Sequence, residues 1–235
     1  MYRLILLLII IPSVSLSQNT LGTQSQGIDF DNYSFGSIDQ FDDRDKSVKG
    51  SPYLFEELND IVVITDANDT ILFEKSNFNL STMNLEFKKD DGMHYFSSKY
   101  FNTFFNNSFF KKRYIIKKFS SFEEEQVSGL FQILNENANY SLLKHYKIKI
   151  KESNYNAVLD HGDKNDKILI NEDNYLLHDF QLIPIDRSKR KFSKYFSRKN
   201  EILSYIRDNK LSFKDMDDLS ELTNFLNERE FEINL

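Results

Sequence analysis

Seven basic side chains fall within thirteen residues near the C-terminus: Arg187, Lys189, Arg190, Lys191, Lys194, Arg198 and Lys199. Phe192, Tyr195 and Phe196 are interleaved with them. Read as a helix, positions 192, 195, 196 and 199 share a face, because residues three and four apart are neighbours on a helix surface. The aromatics are then expected to be buried, with the cations around them. Such a surface can lie on an anionic membrane or meet an acidic protein partner. The plainer reading is a helix docked by its aromatics, with a solvated exterior. A strand carrying Lys147, Lys149 and Lys151 would extend the patch if it lay alongside.

Metal chemistry has one candidate. None of His94, His145, His161 and His178 pair four residues apart, and no H-E-x-x-H occurs. The dense ligand run is Asp160-His161-Gly162-Asp163-Lys164-Asn165-Asp166, whose oxygens suit calcium in kind. The run lacks the EF-hand spacing and carries a lysine, so a solvated turn is the better description. No metal or other cofactor is therefore expected.

Acid–base catalysis would draw on Glu56-Glu57 or Glu123-Glu124-Glu125, since a hydrolase can use two carboxylates about 5–10 Å apart. Acids adjacent in sequence are usually solvated surface. No G-x-S-x-G is present, and Ser128-Gly129 with a distant histidine is what chance supplies. The cluster Phe101, Phe104, Phe105, Phe109 and Phe110 reads as core, or else as the rim of an apolar pocket. Five N-x-S/T sequons, at Asn32, Asn68, Asn79, Asn106 and Asn139, are what an Asn-rich chain contains by composition.

The elements that position these groups can be read from periodicity. Met83, Leu85 and Phe87 alternate with Asn84, Glu86 and Lys88, and Tyr146, Ile148 and Ile150 alternate with the lysines at 147, 149 and 151. Both predict half-buried strands with one wet face. Ile61–Ile64, Ile71–Phe73, Tyr114–Ile116, Leu130–Leu134, Ile168–Ile170, Tyr175–Leu177 and Gln181–Ile185 add further short strands, rich in β-branched and aromatic residues. Asn68-Asp69, Asp91-Gly92 and residues 135–139 supply turns. Short strands joined by polar turns indicate an antiparallel sheet. The period then changes. Ile202, Leu203 and Ile206 share a helical face, as do Met216, Leu219, Leu222 and Leu226. Ser197 and Ser212 stand where N-caps belong, the latter with Asp215 three residues on.

At the N-terminus, Arg3, the unbroken apolar run Leu4–Ile11, Pro12 and the small residues Ser15 and Ser17 follow the order of a secretory signal peptide, with Gln18 as the expected first mature residue. The run is too short for a membrane anchor, which needs about 20 apolar residues. Export through a cleaved signal to the periplasm or cell envelope follows as an expectation. Residues 18–49 are Ser-, Gln-, Asn-, Asp- and Gly-rich and read as a flexible polar arm, with a strand near residues 28–35 as the other option.

The composition excludes several classes. The chain has 235 residues, no Cys and no Trp, 22 Phe and 12 Tyr, and a net charge of −6. Absence of cysteine removes disulfides, thiol catalysis and thiolate metal sites. The acidic balance argues against a nucleic-acid binder. The charge is uneven: Asp39, Asp42, Asp43 and Asp45 lie early, and the basic segment lies late.

Gly50-Ser51-Pro52-Tyr53-Leu54 resembles the start of a family of exported, uncharacterised Bacteroidota proteins. Leu130–Leu134 followed by Leu142-Leu143-Lys144-His145-Tyr146 resembles that family's central hairpin. Asp166-Lys167-Ile168 to Asn174-Tyr175-Leu176-Leu177 is similar to its next strand, with Asn174 in place of the first aromatic. The basic stretch, then Lys199-Asn200-Glu201-Ile202 to Asn209-Lys210-Leu211 and Asp217-Asp218-Leu219, is similar to its helical tail. The resemblance spans residues 50–235 through scattered positions. It implies an envelope location and a β domain with C-terminal helices, and carries no functional residues across.

The expectation is an α+β protein. Residues 1–17 are the signal, 18–49 the arm, 50–186 an antiparallel sandwich or partial barrel, and 187–235 two or three helices. A non-enzymatic binding or interaction domain is the preferred function. A small hydrolase with dispersed carboxylates would instead show a cleft holding two or more acids with perturbed pKa values. A barrel carrying an apolar ligand would show a cavity of several hundred Å³.

Overall fold

A computed structural model of the chain describes residues 34–38, 48–106, 112–123, 125–155, 158–186 and 188–234. The expected signal at 1–17, the early acids Asp39, Asp42, Asp43 and Asp45, the sequon at Asn32, and Phe109, Phe110, Glu124 and Arg187 lie outside those residues. The described chain is α+β and β-rich. Its strands are β1 (Phe35–Ile38), β2 (Val48–Lys49), β3 (Asn59–Thr65), β4 (Thr70–Asn79), β5 (Asn84–Lys89), β6 (Gly92–Ser97), β7 (Phe101–Asn106), β8 (Lys112–Ser121), β9 (Gln126–Asn135), β10 (Ser141–Lys151), β11 (Asp166–His178) and β12 (Gln181–Pro184). Helices α1 (Lys189–Ser193), α2 (Lys199–Asp208) and α3 (Met216–Glu228) follow.

The strands pair in the order β1-β6-β5-β4-β3-β7-β8-β12-β11-β10-β9, and β9 returns to β8. Strands β8 to β12 therefore close into a five-stranded ring, and β7 leads from it to a β3–β6 meander edged by β1. An up-and-down ring with an odd number of strands must close on a parallel pair. It does so at β8 and β12, through Gln181↔Ser120 and Leu182↔Ser121 alone. This seam and the β2–β11 pairing are parallel exceptions to the expected antiparallel sheet.

Inside the ring, Phe119, Phe131, Leu143, Tyr175 and Leu182 form one buried cluster. Side chains alternate across a strand, so the neighbouring residues face outward. Outside, Leu142, Leu176 and Ile183 join Tyr140, Phe192, Phe196 and the apolar faces of α2 and α3 in a second cluster. In the meander, Phe73, Phe96 and Phe101 stack with ring centroids 5.3 Å apart at each contact.

Several expectations are corrected. Within residues 18–49, expected as a flexible arm with a strand near 28–35 as the other option, the described pieces Phe35–Ile38 and Val48–Lys49 are strands. Phe35 in β1 stacks on Phe96 at 5.4 Å and meets Phe87 edge-on at 6.0 Å, and Val48–Lys49 pairs with Asp166–Lys167. One ring placed on an aromatic core offsets a polar composition. The wet face expected for β5 is not wet at Glu86, which is buried at 5 % exposure. Tyr53 Oη donates to its Oε2 at 2.5 Å and Asn79 Nδ2 to its Oε1 at 2.7 Å, so the carboxylate is hydrogen-bonded at both oxygens. Conversely, Ile150 is 61 % exposed. It pairs with Ile168 near the far end of the β10–β11 hairpin, leaving its apolar stripe largely uncovered.

The basic segment is not one helix. α1 ends at Ser193, and Lys194, Tyr195 and Phe196 donate their N–H groups three residues back, tightening the chain. Phe196 then bridges Ile233 in extended form. Phe192 and Phe196 are nonetheless both fully buried, with rings 5.2 Å apart. The N-caps also move. Arg198 precedes α2 without a side-chain cap bond, while Ser197 N–H donates to Glu232 O. Asp215, not Ser212, caps α3, accepting from the N–H groups of Asp217 and Asp218.

A candidate ligand cavity in the barrel wall

One edge of β8 serves two neighbours. Its first half pairs with β7, from Asn106↔Lys112 to Thr103↔Ile115, and its end pairs with β12 at Ser120 and Ser121. Between them Ile116, Lys117, Lys118 and Phe119 have no strand partner on that edge among the described residues. β7 diverges there before β12 arrives, and a cavity of about 380 Å³ lies at the gap. That volume falls in the range of small-molecule sites.

The wall is apolar. Ile115, Phe119, Ile133, Leu143 and Leu177 line it, all members or neighbours of the cluster inside the ring. Its charges come from Arg113, Lys117 and Glu136. Arg113, Ile115 and Lys117 share one face of β8 by strand alternation. Both oxygens of Glu136 fall on Arg113 Nη1, at 3.1 and 2.9 Å. Arg113 Nε is buried and has no hydrogen-bond partner. Lys117 Nζ lies 5.3 Å from the centroid of Phe180 and 5.4 Å from that of Phe119, within cation–π range.

Phe180 also lines the cavity, although the residue is 72 % exposed. It ends the two-residue turn between β11 and β12, where Asp179 has φ +45° and Phe180 φ +64°. A type I′ turn requires positive φ at both positions and favours Asn-Gly. An aromatic residue there is strained, and strain is commonly stored where a side chain has work to do.

Deeper in the ring, His145 is 2 % exposed and stacks on Phe131 with centroids 4.4 Å apart. Its Nε2 lies 3.2 Å from Ser128 O, and its Nδ1 is buried without a partner. Burial, followed by the nearby Lys147 cation, holds its pKa below the usual histidine value. Gly129 faces it. A Cβ on that residue, whose φ is +141°, would stand 2.9 Å from His145 Nε2.

The sites anticipated from sequence are dispersed. In the basic segment, Lys189 Nζ donates to Leu211 O, Lys191 pairs with Asp186 at 3.2 Å, and Arg198 pairs with Glu201 at 3.3 Å while stacking over Phe231. Lys199 is half-buried, and Arg190 and Lys194 are exposed without an ion pair among the described residues. In the acidic loop, Asp160 accepts from Tyr155 Oη and pairs with Lys164, while Asp163 pairs with Lys151 and Lys167. No group of three His, Asp or Glu among the described residues is placed to hold a metal. Glu56 and Glu57 are exposed, and Glu123 accepts from Tyr195 Oη. The carboxyls with displaced pKa values, Asp91, Asp160, Asp163 and Asp186, are all lowered by hydrogen bonds, the reverse of what a general acid needs. A second depression of about 510 Å³, beside His178, carries the carboxylates of Asp179, Glu230 and Glu232.

Sequence reasoning passed over Arg113, Lys117, Glu136 and Phe180. Two signals were available: cations alternating with Ile115 and Phe119 on one strand face, and a phenylalanine in a two-residue turn. No family model, curated protein or solved structure matches the chain. No helix of the described residues is long and apolar enough to cross a membrane.

Proposed function

We propose that the protein is an exported, non-enzymatic binding domain that holds a small, largely apolar ligand in the gap between β7 and β12. The supporting observation is the unpaired stretch of β8, which gives an apolar cavity an opening through the ring wall. Export rests on the leader-like residues 1–17.

Methyl NMR of the mature protein during titration with dodecanol is the direct experiment. Saturable shifts at Ile115, Ile133, Leu143 and Leu177 are expected, and a Leu143→Trp variant that fills the cavity should lose them. Absence of saturable binding by the intact protein overturns the reading. N-terminal sequencing of protein isolated from its own cell tests export separately, with Gln18 as the expected first residue.

A second reading concerns the exposed Arg190 and Lys194. These side chains fit an anionic lipid surface or acidic partner. Co-sedimentation with vesicles of mixed neutral and anionic lipid should be lost in the Arg190→Gln, Lys194→Gln double variant. Equal binding by both proteins, or by neither, ends it.

A further inference from the structure

We infer that the cavity takes a single-chain carboxylic acid, with the carboxylate on Arg113 and the hydrocarbon tail against the apolar wall; this rests on the binding reading above. A guanidinium presents two edges that can each match a carboxylate. Glu136 uses neither edge in full, because both of its oxygens sit on Nη1. Nη2 carries no hydrogen bond among the described residues and is left for a second anion, whereas Nε is buried away from the open cavity.

The surrounding charges agree with an anionic head. Lys117 lies four residues on, on the same strand face, also lines the cavity, and has no ion pair among the described residues. Its ammonium faces the rings of Phe119 and Phe180. The cavity therefore carries two cations against the single carboxylate of Glu136. A neutral alcohol would gain the apolar wall and little from Arg113. A cationic head would meet like charge.

Isothermal titration of the intact protein with dodecanoate and with dodecanol separates these contributions. Charge-assisted hydrogen bonds should make dodecanoate bind about 10- to 100-fold more tightly. Arg113→Gln should bring dodecanoate down to the dodecanol level while leaving dodecanol unchanged. Glu136→Gln removes the competing anion, so dodecanoate should bind more tightly than to the intact protein, an outcome that a damaged fold would not produce. Equal affinity of the intact protein for the two probes overturns the inference and leaves the binding reading standing. Binding of neither probe removes both. An Arg113→Gln variant that loses both probes equally also overturns the inference, since the residue would then shape the cavity without selecting the head.

Discussion

Asn227 holds Tyr140 by both of its backbone groups: its Oδ1 accepts from Tyr140 N–H at 2.9 Å, and its Nδ2 donates to Tyr140 O at 2.9 Å. A side-chain amide from α3 thus acts as a strand partner for the residue that precedes β10. Asn227→Ala should leave both groups without that partner and cost about 1–3 kcal/mol. Asn227→Asp keeps the acceptor but sets a carboxylate oxygen against Tyr140 O and Thr223 O, where Nδ2 now donates, so it should cost at least as much. Urea unfolding of the three proteins gives the order. Equal stability of Asn227→Ala and the native protein would show that α3 is held by its apolar face alone.

His145 predicts how stability depends on pH. In the unfolded chain its imidazole takes up a proton near 6.5, whereas burial lowers that value in the folded ring. The contribution of neutral His145 is therefore complete above 6.5 and is lost as pH falls through the lower folded value. Urea midpoints should decline between pH 7 and 5, and His145→Gln should flatten that decline. Parallel slopes for the two proteins would exclude His145 as the titrating group.

Gly129→Ala should be strongly destabilising for two reasons that can be separated. The backbone there has φ +141°, and the new Cβ would stand 2.9 Å from His145 Nε2. A cost of about 1–3 kcal/mol follows from backbone strain alone. Pairing the change with His145→Ala removes the clash and leaves the strain, so the double variant should lose less than the sum of the two single variants. Strict additivity in unfolding free energies would mean that the ring absorbs the methyl group elsewhere.

Phe180→Gly should stabilise the fold and weaken the site. Relief of the left-handed conformation, set against the greater freedom of glycine when unfolded, predicts a gain of up to about 1 kcal/mol. Dodecanol and dodecanoate should both bind more weakly, because the ring at the mouth is gone. Melting temperature and titration together decide the matter. A variant that is less stable, or that binds as before, removes the functional explanation for the strained turn.

The strands around Ile61–Ile64, Ile71–Phe73, Leu130–Leu134 and Tyr175–Leu177 were legible because burial on one face leaves a period of two, and α2 and α3 because burial along a stripe leaves 3.6. Glu86 was misread as solvated because its partners, Tyr53 and Asn79, come from outside its own strand. β1 was obscured because Phe35 is the lone aromatic ring of a four-residue strand set in polar sequence. Ile150 was read as buried because alternation records which side a residue faces, not whether anything covers that side. The cavity depends on where β7 leaves β8 and β12 joins it, a matter of register between distant segments. The basic run stood out in sequence because charges crowd locally; Arg113 and Glu136 meet only through folding.

The two residue pairs that seal the ring have a consequence for the order of assembly. Ser120 and Gln181 lie about 60 residues apart along the chain, so their meeting carries a large loop-closure entropy that few contacts repay at that point. The hairpins β8–β9, β9–β10 and β10–β11 can zip locally beforehand. We predict that the seam forms after them. Ile183 in β12 also packs against the helices, so the closing strand and the helical layer share one core. A chain cut short of β12 would be an open sheet with its aromatic interior bare to solvent.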